Sequence, residues 1–173
     1  ISACLVGSEM CIRDSYLIKT LHDELTERGA QVHSVGVCGV MPSEWLKKTT
    51  SRCGGAERLG EDPIVLSMAS AAQTVPFEAL LQERKPDVVV IVMGDNLANY
   101  KASSFSRTDV KKEVLSLTTL LGSKSIRCVW VGPAWGEDNK LAGKTLKRTQ
   151  EISAFLESQV KPCDYVNSLE MSK

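Results

Sequence analysis

Along most of the chain, short unbroken apolar runs alternate with longer stretches in which apolar residues recur every three or four positions. The first pattern suits strands buried on both faces and the second suits helices laid against them, so together they predict a parallel sheet covered by helices. Ala3–Val6 reads as a short strand, and Gln31–Val37 as a second that alternates Val32, Val35 and Val37 with polar neighbours. Between them Tyr16–Arg28 has helical spacing. Leu17, Ile18, Leu21 and Leu25 share one face, Lys19, Asp23, Glu24 and Arg28 point away, and Gly29 supplies the C-terminal cap. Ser43 is expected to cap a short helix through Lys48, residues 50–63 to form a Gly- and charge-rich loop, and Ile64–Met68 to be extended. Pro76 suits the first turn of a helix running to Arg84. Val88–Met93 is the strongest strand and should lie centrally, because its unbroken apolar run must be covered on both faces. Thr108–Leu121, Arg127–Val131 and Lys144–Val160 follow as helix, strand and helix, and Tyr165–Val166 begins a last strand. These elements predict one three-layer α/β domain.

Composition narrows the function classes. At 173 residues the chain is long enough to bury about 70% of its unfolded surface in a single core. Lys and Arg number 21 against 21 Asp and Glu, a balance that offers no field for nucleic acid or an anionic membrane surface. The longest apolar run, VVVIVM at 88–93, is far too short to span a bilayer. Six cysteines, at 4, 11, 38, 53, 128 and 163, show neither CxxC nor Cys/His ligand spacing, so no metal site is expected. Cys38 and Cys53 flank a polar loop, while Cys128 opens one strand and Cys163 precedes another, so the pairs Cys38–Cys53 and Cys128–Cys163 are expected as disulfides. Six separate buried thiols is the alternative. The paired reading favours an exported, oxidising location, secreted, periplasmic or at the cell envelope. With no GxGxxG or GxxxxGK[ST] run, no nucleotide or other cofactor is implied.

In open α/β sheets the chemistry gathers at the carboxyl ends of the strands. Three loops leave such ends here: GVCGVMPSEW from Gly36, GDNLANY from Gly94 and GPAWG from Gly132. Each opens on glycine, which lets backbone N–H groups approach a ligand closely. Asn96 adds a neutral amide donor that can face a developing oxyanion without titrating, and Asp95 and Trp135 are placed to border a substrate. The plainer alternative is that these are ordinary strand-end turns, for which Gly, Asp and Asn are the default residues. A second functional reading is a non-catalytic domain that recognises a glycan or peptide through Trp45, Tyr100 and Trp135.

The segments KPDVVVIVMGDNLANY, HSVGVCGVMPSEWL and IRCVWVGPAWG, taken in order, give the chain from Tyr16 to Lys173 a resemblance to the SGNH (GDSL-type) hydrolase family. That resemblance implies a flavodoxin-like, three-layer α/β/α fold with a mainly parallel sheet, and a serine esterase or acyl-hydrolase activity on a small-molecule or carbohydrate ester. Asn96 matches the family's oxyanion asparagine and Gly39 its oxyanion glycine. Departures are plain as well. The third block usually reads Gly-x-Asn-Asp, and here Leu97 follows Asn96. The Asp-x-x-His block is absent, and the two histidines, His22 and His33, lie too early in the chain and read as structural or surface residues. For the nucleophile the chain offers Arg13-Asp14-Ser15, immediately before the first helix, and Gly7-Ser8, which lacks the aspartate; neither matches the Gly-Asp-Ser block cleanly. The run EMCIRDS at 9–15 also resembles the in-frame translation of a transposase end used to tag DNA libraries. Residues 1–15 therefore read as a non-native leader, either poorly packed or forming a makeshift strand, ahead of an SGNH-hydrolase-like domain over 16–173 that is incomplete at its C-terminus. On that reading Ser15 imitates the nucleophile block, and the chain as written should show little or no turnover.

Overall fold

A computed structural model describes residues 1–7, 17–135, 143–169 and 171–172. Among these residues, seven strands form one sheet: β1 (Ser2–Gly7), β2 (Gln31–Val37), β3 (Gly55–Leu59), β4 (Val65–Ser67), β5 (Val88–Val92), β6 (Arg127–Val131) and β7 (Asp164–Val166). They lie in the order β4-β3-β2-β1-β5-β6-β7. All pairings from β2 across to β7 are parallel, and β3 and β4 extend the sheet by two antiparallel pairings. The expected alternation of strands and covering helices is thus present, with Val88–Val92 held between β1 and β6 as its apolar run requires.

Among the described residues, four α-helices cover the sheet: α1 (His22–Glu27), α2 (Phe77–Arg84), α3 (Arg107–Ser123) and α4 (Leu146–Gln159). A single π-helical turn, Leu17–Leu21, leads into α1. Gly29 ends that helix with φ +84°, and the Gly29 and Ala30 N–H groups donate back to the Thr26 and Leu25 carbonyls, a complete Schellman cap. Ser106 and Thr145 cap α3 and α4 by accepting from the N–H groups of Asp109 and Arg148. Phe77, Leu80, Val110, Val114, Leu117, Ile152 and Leu156 bury one face of the sheet in the main core. On the other face Leu21 and Leu25 pack on a smaller cluster of Ala3, Leu5 and Val32. The result is a three-layer α/β/α sandwich.

Two expectations need revising. The short helix expected through Lys48 is a 3-10 turn, Pro42–Leu46, with Met41 rather than Ser43 at its N-cap. Residues 50–63 are not all loop, because Gly55–Leu59 pairs antiparallel with β2. Only Ala56 in that strand is buried, so it carries little hydrophobic signal. Gly55 is required there: a β-carbon would lie 2.8 Å from the Gly36 carbonyl oxygen. Where it is described, the opening stretch takes the strand alternative. Ala3, Cys4, Leu5 and Val6 are buried in a strand paired on both sides, whereas the rest of the expected leader, residues 8–15, lies outside the described residues.

Both expected disulfides are formed. Cys38–Cys53 closes the β2–β3 connection with Cα atoms 5.4 Å apart, and Cys128–Cys163 ties β6 to the entry of β7 at 4.6 Å. Among the described residues, no helix is long and apolar enough to cross a membrane.

Candidate functional site

Parallel pairing puts the carboxyl ends of β1, β2, β5, β6 and β7 on one edge of the sheet, and the loops expected to carry chemistry gather there. Gly39 sits in the turn after β2 with φ +76°, a left-handed conformation that disfavours any side chain. The turn is fixed from below. Ser51 Oγ donates within reach of the Cys38 and Gly54 carbonyls, and the Cys38 N–H donates to Gly54 O at 2.9 Å. A side chain at Gly39 would meet Arg52 and the Cys53 sulfur.

Asn96 lies in a 3-10 turn, Asp95–Leu97, directly after β5. Its side-chain Nδ2 donates to the Val40 carbonyl at 3.1 Å, so the amide is turned toward the Gly39–Val40 loop rather than toward the following helix. Gly94 lets the β5 exit lie flush on Pro133, where a β-carbon would come within 2.6 Å of the proline ring. Trp130, buried in β6, donates its indole N–H to Met93 O at 2.7 Å and fixes the same exit. The loops carrying Asn96 and Trp135 are therefore mutually anchored.

The Asp95 carboxylate accepts from Lys144 Nζ at 2.8 and 3.0 Å and from the Tyr100 hydroxyl at 2.5 Å. Lys144 also donates to Ala134 O at 2.8 Å. Trp135 is half-buried, and its backbone N–H donates to Ser172 Oγ at 2.8 Å. Ser15 lies outside the described residues. Lys144 was not singled out from the sequence, since its partners lie on loops remote in the chain and nothing local marks it.

Both histidines are built into the fold away from this edge. His22 is fully buried, with Nε2–H donating to Gly60 O and Nδ1 accepting from the Ser34 hydroxyl, each at 2.7 Å. Burial holds its pKa below the ordinary value, opposed by the Gly60 carbonyl. His33 donates from Nε2 to Glu57 at 2.7 Å on the neighbouring strand. Cys4, buried in β1, has its thiol pushed up to about 12 by burial, with the Arg84 charge opposing, so it is inert as a nucleophile. Trp45 corrects the aromatic-platform reading: it is wholly buried in the main core, and its loop position only plugs the β2 exit into that core.

The strand order, the three layers and the loops on one sheet edge define the fold as that of the SGNH hydrolases. No family model matches the chain. The chain is 35% identical over 167 residues to Protein BcsX of Komagataeibacter xylinus, an alignment covering 96% of this chain. It spans 63% of the length of that curated relative. Among solved structures, TesA superposes with a TM-score of 0.56 at 14% identity, over 93% of this chain and 75% of its own. The acetyl xylan esterase AlAXEase gives 0.54 at 14% identity, over 99% and 79%. A GDSL-like lipase from Bacteroides thetaiotaomicron gives 0.54 at 12%, over 96% and 67%. At such identities these likenesses establish the fold alone.

Proposed function

We propose that the protein to which this chain belongs is a serine ester hydrolase acting outside the cytoplasm, and that its substrate is an acyl ester such as an O-acetyl group on a carbohydrate or cell-envelope polymer. The observation that carries this reading is the Asn96 amide, held against the Gly39–Val40 turn at the carboxyl edge of the sheet. A serine attacking the ester carbonyl creates a tetrahedral oxyanion. The Gly39 backbone N–H and the Asn96 amide would hold that charge without themselves titrating. The alcohol then leaves with a proton, and water releases the acyl group. Ser15 is the nucleophile candidate that this chain offers, and Asp95 and Trp135 would border the substrate. The esterase and lipase names of the similar folds support the reaction class, and the two disulfides support an oxidising compartment.

The test is hydrolysis of p-nitrophenyl acetate and acetylated oligosaccharides by the full-length protein. Asn96→Ala should lower kcat by about 10²–10³-fold with little change in KM, the loss typical of one oxyanion donor. In the 173-residue chain as written, turnover should be slight with or without Ser15→Ala; robust turnover abolished by that change would make Ser15 the nucleophile and overturn the leader reading. A full-length protein inert toward every acetyl ester offered would sink the hydrolase reading.

A further inference from the structure

Resting on that reading, we infer that Lys144 is a positioning residue of the proposed oxyanion site: it clamps the Asp95 side chain, and with it the turn bearing Asn96, and cancels a negative charge that would oppose the oxyanion. Asp95 immediately precedes Asn96, so a carboxylate sits one residue from the proposed donor. An unneutralised anion at that distance works against the charge that an oxyanion hole exists to stabilise.

This is not a solvated surface pair. The Lys144 and Asp95 side chains are only 16% and 26% exposed, and the ammonium reaches both carboxylate oxygens. Its further bond to Ala134 O joins the loop after β5 to the loop after β6. Lys144 is itself placed by close packing. Gly143, at φ +73°, lies so near the Tyr100 carbonyl that a β-carbon would be 2.6 Å from its oxygen. Tyr100 closes the cluster by bonding Asp95, with the Lys144 ammonium 5.7 Å from its ring centre. One cation thus fixes three segments around Asn96 at a partly buried site.

Because the oxyanion exists only in the transition state, losing Lys144 should fall on kcat rather than KM. In the full-length protein, Lys144→Met should lower kcat on p-nitrophenyl acetate by about 10–100-fold, the scale of a misplaced catalytic group. Lys144→Arg should regain most of that loss. The double variant Asp95→Asn/Lys144→Met, which has no carboxylate left to neutralise, should exceed Lys144→Met in kcat about tenfold or more, and it also serves if the single variant fails to fold. A Lys144→Met kcat within twofold of wild type overturns the inference, as does a double variant and a Lys144→Arg enzyme no faster than Lys144→Met. A readout independent of turnover is the Asn96 side-chain amide in ¹⁵N spectra of the 173-residue chain, which should move toward the free-amide position in Lys144→Met and stay put in Lys144→Arg. If the full-length protein hydrolyses no ester, the hydrolase reading fails and these spectra alone decide: an Asn96 amide unmoved by Lys144→Met overturns the role of Lys144.

Discussion

His22 shows how a single buried side chain sets a condition on the whole fold. It bridges α1, β2 and the turn after β3, and the two bonds it makes fix one neutral tautomer, since a carbonyl at Gly60 can only accept. Its pKa is held below the ordinary value of 6.5 mainly by burial, aided by the Arg58 and His33 charges and opposed by Gly60 and Asp23. The unfolded chain therefore takes up a proton before the folded one does. The contribution of His22 is intact above about 6.5 and drains away as pH falls from there through the lower folded value. Urea midpoints measured from pH 8 to pH 4.5 should fall with acidity, and His22→Gln should be less stable at pH 8 yet show a flatter profile. Equal slopes for the two proteins would remove His22 as the cause. The sequence allowed for a structural histidine here, but not its partners, because Ser34 and Gly60 are brought to it only by the folded sheet.

At the scale of elements, strongly periodic segments were legible and weakly apolar ones were not. Arg127–Val131 coincides with its predicted strand, and α3 extends the predicted Thr108–Leu121 by one to two residues at each end. β3 was missed because its stability comes from pairing with β2, not from its own side chains. The site divides in the same way. Gly39 and Asn96 announced themselves as glycine-led loops at strand ends, whereas Lys144 owes its position to an acid 49 residues away. Both disulfides were readable from where the cysteines fell relative to loops and strands, and they should differ in worth. In the chain-entropy account, closing 15 residues between Cys38 and Cys53 contributes about 3 kcal/mol, and closing 35 between Cys128 and Cys163 about 4 kcal/mol. Paired Cys→Ser variants compared by urea unfolding should show the Cys128–Cys163 loss as the larger. The Cys38–Cys53 loss should instead show in the Gly39 turn, as faster amide exchange around residues 38–40, because the bridge adjoins it. Unchanged exchange there would mean that the Ser51 hydrogen bonds hold the turn by themselves.

Across the whole molecule the sheet has two unlike edges. Both edge strands are three residues long, but β7 is tethered by Cys128–Cys163, whereas β4 presents Leu66 at 65% exposure, with Val65 and Met68 also exposed. An apolar, unpaired edge invites another strand. Leu66→Lys should reduce self-association in light scattering at high protein concentration while changing the unfolding midpoint little, since surface substitutions stay within about 0.5 kcal/mol. Scattering that does not change would show that association, if any, uses another surface. The centre of the sheet has a consequence of a different kind. β1 and one of its two flanking strands, β5, lie some 85 residues apart in the chain. At about 5–20 residues per second, ribosomes need roughly 4–17 seconds to supply that partner. Until β5 is made, Ala3, Cys4, Leu5 and Val6 have at most β2 beside them, so during synthesis this stretch gains from a chaperone's cover.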